Sequence, residues 1–336
     1  MLLWILTAAI VVSALLTGLL RWYAPRAGLI DRPNSRSSHS LPTPRGGGLA
    51  IVVTSLVAMA VLLSLHLIPV RPFAALTGGG LAVAIAGFID DRHTLPVRAR
   101  FAVHVGAAVW CLAWLGGLPP ILLDERLISL GWAGYALGTL AIVWVLNLFN
   151  FMDGIDGIAA SEAIFVTGAG AALGATHSPA TLAAAIVCAA CIGFLVWNWP
   201  PAKIFMGDVG SGYLGFSIAA LALAATLDKP VAIWVWLILG GTFFVDATVT
   251  LLRRTLRGER IHEAHRSHAY QWLARRYSSH LAVTLSVLAV NLLWLLPAAW
   301  LASRRPSAAV WILVGAYIPL IVLALAAGAG RREQLA

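Results

Sequence analysis

Residues 131–176 read GWAGYALGTLAIVWVLNLFNFMDGIDGIAASEAIFVTGAGAALGAT. Two apolar runs, 131–149 and 158–176, flank one polar break, Asn150 to Gly157. Each run has the length of a bilayer-spanning helix, since a hydrocarbon layer of about 30 Å needs roughly 20 apolar residues. The pattern recurs from end to end. Further runs fall at 2–21, 47–69, 72–89, 101–118, 180–198, 210–227, 230–251, 281–301 and 308–329. The chain is 60% hydrophobic and 11% charged, with a mean hydropathy of +0.87. Backbone groups in lipid must be satisfied within their own segment, so these runs are helices. The sequence predicts an all-α polytopic membrane protein of about eleven transmembrane helices. Residues 1–336 form a single integral-membrane domain, without internal repeats. A soluble globular enzyme is excluded.

Net charge is +9, from 23 Lys and Arg against 14 Asp and Glu. In a soluble chain that balance would suggest nucleic acid. Here most basic residues fall in alternate loops and the C-terminal tail, the signature of cytoplasmic loops. The expected topology has the N-terminus outside and the C-terminus in the cytoplasm. The bilayer is a partner and nucleic acid is not. Met1 to about Leu20 lacks a basic start and a small-residue cleavage site, so it is expected to stay as a helix. Cys111, Cys188 and Cys191 lie in apolar runs and read as packing.

Acidic groups are costly near lipid, and the few present cluster in polar breaks that this topology places on one face. Asp90-Asp91 end the third run. Adjacent carboxylates titrate as a pair, and one can act as base while the other fixes geometry. A solvated helix end beside Arg92 is the plainer reading. In Asn147-x-x-Asn150-x-x-Asp153-Gly-x-Asp156-Gly, three-residue spacing lines four oxygen donors along one helix face, a set suited to Mg2+. A loop of Asx turns is the alternative. Phe205-Met-Gly-Asp208-Val-Gly-Ser211 opens the eighth span. Asp208 stands where a helix cap would be, or it holds a metal beside phosphates met by the glycine-rich helix start. Lys203 is a phosphate contact or a topological anchor.

The loop after the ninth run carries Arg260, His262, His265, Arg266 and His268. Contact with a nucleotide diphosphate suits this mixture; a zinc site or a plain basic loop are the alternatives. In the first loop Arg36, His39 and Arg45 are phosphate candidates or anchors. Asp246, inside the ninth run, is either functional or paired for packing. His104 reads as a satisfied core residue.

Taken together, these motifs resemble the polyprenyl-phosphate N-acetylhexosamine-1-phosphate transferases, glycosyltransferase family 4, over nearly the whole chain from Asp31 to His268. The resemblance implies transfer of a sugar-1-phosphate from a UDP-N-acetylhexosamine to undecaprenyl phosphate, with release of UMP. It implies Mg2+, with Mn2+ as the alternative ion. On that basis Asp90 is the candidate base and Asp91 its support. Asp208 is the leading metal ligand and Asn150 the second. Asn147, Asp153 and Asp156 lie on the nucleotide side, and His265, His268, Arg266, Lys203 and Arg45 contact the donor. A second copy of the chain, as a homodimer, is the candidate protein partner. Relatives often carry His-x-His-His where this chain has His265-Arg-Ser-His268. That stretch and the first loop look most like the subgroup that starts O-antigen with N-acetylated fucosamine or quinovosamine. A secondary transporter, or a metal-dependent phosphotransferase acting on lipid headgroups, are the competing readings.

Overall fold

The computed structural model describes residues 1–33, 41–229, 231–259 and 265–332. It is an all-α membrane bundle. Helices α1 (Leu2–Tyr23), α2 (Gly48–Ser64), α3 (Val70–Arg92), α4 (Val97–Leu115), α5 (Gly131–Phe151), α6 (Ile158–Leu173), α7 (Pro179–Asn198) and α8 (Asp208–Asp228) follow the expected runs. The ninth run is two helices, α9 (Ala232–Leu239) and α10 (Gly241–Leu256), bent by 72°. A short α11 (Ala269–Tyr277) precedes α12 (His280–Val290), which passes through a π-turn at Asn291–Leu295 into α13 (Leu296–Arg304); α14 (Ala309–Ala327) follows.

A helix therefore stands at each of the eleven expected positions, but not each has the length or composition of a full span. Among the described residues, seven helical segments are long and apolar enough to cross a bilayer, or eight with the bent pair. Helices α2 and α6 have only 17 and 16 residues. Arg98, Arg100 and His104 lower the apolar character of α4. Runs of apolar residues did not reveal these shortfalls, because a buried helix and a spanning helix look alike where neighbours shield them.

Helix α8 lies at the centre, buried on every side. Its glycines and alanines permit this. Lipid is as apolar as leucine, so membrane helices associate through close packing at small residues. A Cβ added at Gly48 of α2 would stand 2.3 Å from Gly210 Cα, and one at Gly87 of α3 would stand 2.5 Å from the Asp208 carbonyl oxygen. The closest approaches of α2 and α3 to the backbone of α8 thus fall at its first turn, where Asp208 sits. Gly48→Ala is expected to lower thermal stability in detergent by about 1–3 kcal/mol through this overpacking. Gly106→Ala, with nothing within 4 Å of the new methyl, is the control expected to leave the melting temperature unchanged.

Two short antiparallel ladders complete the fold: β1 (Ile30–Asp31) with β2 (Thr43–Pro44), and β3 (Ile121–Leu123) with β4 (Arg126–Ile128). The chain after β2 runs on against the loop before α8. Phe205 N donates to Pro44 O at 2.8 Å, and Gly47 and Gly48 N donate to Phe205 and Met206 O, each at 2.9 Å. Residues 158 to 161 positions apart are joined here by backbone alone, which carries Arg45 into the site.

Candidate active site

The C-terminal end of α3, the N-terminal ends of α4 and α8, and the C-terminal end of α5 meet at one end of the bundle. There Asp91 is 4% exposed. Its Oδ1 accepts Asp208 N and its Oδ2 accepts Val209 N, both at 3.1 Å. The residue preceding α8 is Gly207, with φ +76°, and it offers no side-chain cap. A Cβ at Gly207 would come 2.6 Å from Asp91 Oδ2, so a glycine is needed for the carboxylate to reach the amides. Asp91 therefore caps α8 from another helix, using the unpaired N–H groups of a helix start. Asp208 itself is the first residue of α8, and its side chain is left pointing into the site.

Around Asp208 the contacts are polar and few. Asn150 Nδ2 donates to Asp208 Oδ1 and to Ser211 Oγ, both at 2.9 Å. With both amide protons engaged, Asn150 has its carbonyl oxygen left for a cation. Arg100 Nη1 pairs with Asp90 Oδ2 at 2.7 Å and lies 3.7 Å from Asp208 Oδ2. Leu95 N holds Asp90 Oδ1 at 2.6 Å. The Asp90 side chain is only 5% exposed, whereas that of Asp208 is 38% exposed. Of these two carboxylates, Asp208 is the one open to a ligand. Arg45 donates to the Asp91 carbonyl oxygen.

Asp153 faces the same cluster. Burial, reinforced by the charges of Asp208, Asp91 and Asp156, pushes its carboxyl well above the usual carboxylate range. The site thus gathers more negative charge than its arginines offset, the electrostatic condition for a cation. Among the described residues no group of three or more His, Cys, Asp or Glu side chains surrounds one metal position. Asp208 and Asn150 together still fit Mg2+, which keeps several waters and is commonly held by one or two protein oxygens plus substrate phosphates.

Asp156 is more enclosed. Its Oδ2 accepts Ala202 N at 3.0 Å and its Oδ1 lies 3.3 Å from His280 Nδ1. Beside it, Gly157 N donates to Asn198 Oδ1 at 3.1 Å, and Asn198 Nδ2 donates to Ile204 O at 2.9 Å. This buried asparagine ties the break after α5 to the loop before α8. Asp156 also lines a cavity of about 700 Å3 with Thr43, Phe205, Arg266, Arg275 and His280. That volume suits a nucleotide-sized ligand.

The histidine loop reaches the same region from α10. His265 and His268 have ring centroids 4.9 Å apart and lie 6.4 and 6.3 Å from Phe151, at the end of α5. Tyr270 Oη donates to Phe151 O at 2.9 Å, and a Cβ at Gly154 would stand 2.1 Å from that hydroxyl. Asp246 accepts Ala269 N and Tyr270 N at 2.8 and 3.1 Å and lies 3.5 Å from His268 Nδ1. It caps α11 as Asp91 caps α8, so the pairing reading of Asp246 is the one observed. Burial, then the neighbouring His268 and Arg254, pull the His265 imidazole down to about 3, with Asp246 opposing. His265 is neutral at physiological pH.

The structure thus joins Asp90, Asp91, Asn150, Asp153 and Asp208, puts Asp156 and Arg266 on the lining of the larger cavity, and sets His265 and His268 beside Phe151 at the end of α5. Asn147 lies one turn deeper, donating to Val143 O at 2.7 Å, and lines a small cavity of about 20 Å3 with Arg100, His104, Asn150 and Asp208. His104 is buried there as expected, yet its Nδ1 has no hydrogen-bond partner, so it is not a satisfied core residue. Lys203 does not join the cluster. Its ammonium sits 5.6 Å from the Trp197 ring centroid, on the side where Trp197 Nε1 donates to Ala14 O of α1. Arg36, His39, Arg260 and His262 lie outside the described residues. Arg100 and Asn198 went unread in the sequence. Arg100 passes for a topological anchor at the start of α4, and only its place ten residues after Asp90 hinted at the pair.

Residues 73–226 match the family model of glycosyl transferase family 4. The chain is 31% identical over 300 residues to a protein of Bacillus subtilis named as a probable undecaprenyl-phosphate N-acetylglucosaminyl 1-phosphate transferase, covering 86% of this chain and 82% of the relative. It is 31% identical over 322 residues to a decaprenyl-phosphate N-acetylglucosaminephosphotransferase of Mycobacterium tuberculosis, covering 84% and 78%. A phospho-N-acetylmuramoyl-pentapeptide-transferase of Nostoc is 34% identical over 247 residues, covering 66% and 63%.

Proposed function

The chain belongs to glycosyl transferase family 4, and from that premise and the geometry of the site we propose that it moves an N-acetylhexosamine-1-phosphate from a UDP-sugar to undecaprenyl phosphate. The observation that carries the reading is the open Asp208 side chain, held by a capped helix start among three further carboxylates and beside a nucleotide-sized cavity. An oxygen of the acceptor phosphate attacks the β-phosphorus of the donor. The bond from that phosphorus to the bridging oxygen breaks, and UMP leaves. Phosphoryl transfer of this kind depends on positioning and charge neutralisation.

Asp208 and Asn150 would hold Mg2+, or Mn2+ in its place, and the ion would neutralise charge on the diphosphate when bound. Asp91 keeps Asp208 in place. Asp90 is the candidate base for the acceptor phosphate, and Arg100, part-exposed between Asp90 and Asp208, supplies the cation that draws that phosphate in. Asp153 and Asp156 face the nucleotide, with Arg266, His265 and His268 on the diphosphate and sugar. The acceptor is anchored in the bilayer, so a site at the end of the helices suits it. A transporter would place its acidic groups near the midplane.

In a bacterial inner membrane, with this end of the bundle in the cytoplasm, the reaction starts a cell-surface polysaccharide. We assign O-antigen as that polysaccharide. The test is a panel of UDP-sugars offered to purified protein with undecaprenyl phosphate and Mg2+, with the lipid product identified by mass. The N-acetylhexosamine nucleotides are expected to yield sugar-diphosphate lipid and UMP, and chelation by EDTA is expected to stop turnover until Mg2+ is restored. Turnover that persists in EDTA would remove the metal from the account. No lipid product with any nucleotide would overturn the reading.

A further inference from the structure

In the loop between α10 and α11, one buried hydroxyl fixes where a neighbouring imidazole carries its proton. Ser267 is 2% exposed and Arg254 is 9% exposed. Ser267 Oγ lies 3.3 Å from Arg254 Nη1 and 2.9 Å from His265 Nδ1. A guanidinium can only donate, so Arg254 donates to Oγ. Oγ keeps its own proton, which is placed to go to Nδ1. Ser267 N lies 3.5 Å from the same nitrogen, a second donor directed at it. The reverse tautomer would aim an Nδ1 proton at the Ser267 amide hydrogen. Nδ1 is therefore an acceptor, and the neutral ring carries its proton on Nε2.

We propose that Ser267, backed by Arg254, is a positioning residue that sets His265 as a neutral Nε2–H donor to a phosphate oxygen of the sugar nucleotide. This rests on the function proposed above. His265 is thereby a hydrogen-bond donor to an anion, and it does not act as a base through Nε2. The loop is braced for the role. Gly330 N donates to Ser267 O at 2.7 Å, and Arg253 Nη1 donates to Ala329 O at 2.6 Å, so the segment after α14 holds the serine against α10.

The test uses the full chain in nanodiscs with 15N-labelled histidine, His265 being assigned by the signal lost in His265→Gln. Nδ1 is expected unprotonated and Nε2 protonated from about pH 5 to pH 8, with the Nε2 signal shifting when UDP is added. In Ser267→Ala the signal should become a mixture of tautomers. Kinetically, Ser267→Ala should raise KM for the sugar nucleotide about tenfold, the loss of one hydrogen bond to a charged group. KM for the lipid acceptor should stay unchanged, the melting temperature should fall a little because Arg254 Nη1 loses an acceptor, and Ser267→Thr should restore the wild-type KM. His265→Gln, whose amide places an N–H near the Nε2 position, should retain more activity than His265→Ala. A protonated Nδ1 in the wild type, an unmoved Nε2 signal with UDP, or His265→Gln as inactive as His265→Ala in folded protein would overturn the proposal. A wild-type chain that releases no UMP would instead defeat the functional reading, and the spectra would still decide the tautomer and the UDP contact.

Discussion

Asp208→Asn is expected to cut UMP release by roughly 10^3-fold while the protein folds and melts as the wild type does. The size follows from removing one preorganised charge at the point where a phosphoryl group changes hands. The intact fold follows from the contacts. Asn150 Nδ2 can still donate to the remaining side-chain oxygen at position 208. The backbone N–H of residue 208 still reaches Asp91 Oδ1, so α8 keeps its cap. Only the negative charge that faces Arg100, and that is proposed to hold the cation, is lost. The measurement is steady-state UMP release together with thermal unfolding in detergent. A variant with near wild-type turnover would remove Asp208 from the metal site.

Asp91→Asn makes the opposite test, because this carboxylate holds structure. Both of its oxygens accept from the first turn of α8. An asparagine has one oxygen to offer and turns an NH2 toward the other amide, leaving a buried N–H without an acceptor. That costs about 1–3 kcal/mol, and the first turn of α8 shifts with Asp208 on it. Stability and activity should fall together, the latter by about a hundredfold, the scale seen when a residue that orients a metal ligand is lost. Activity lost with the melting temperature unchanged would instead assign Asp91 to the chemistry. The two substitutions are chemically identical and sit on hydrogen-bonded residues, yet one should lower rate alone and the other both quantities.

That difference marks what the sequence could tell. The helical membrane architecture was legible because 20-residue apolar runs leave few alternatives, and the polar breaks stood out because carboxylates are rare beside lipid. The convergence of Asp90, Asn150, Asp153 and Asp208 could be anticipated from one-sided loops. Which of them is exposed and which is a clamp could not. Asp91 reaches amides 117 and 118 residues away, and Asp246 caps a helix start 23 and 24 residues away. Such pairings leave no local spacing to read. Asp246 looked functional because it is ionisable inside an apolar run, and it is a cap. Arg100 went unread because positive charge at a helix start usually marks topology, and it bridges two carboxylates. Lys203 sits two residues before the Phe205-Met-Gly-Asp208 motif, but the chain turns its side chain to Trp197.

In the proposed reaction the diphosphate bond breaks and the lipid phosphate receives a sugar-1-phosphate. UDP-N-acetylhexosamine labelled with 32P separately at the α- or β-phosphate, incubated with the protein, undecaprenyl phosphate and Mg2+, tests it most directly. The β-label is expected in the lipid and the α-label in released UMP. Recovery of both labels in released UDP, with sugar alone on the lipid, would contradict it.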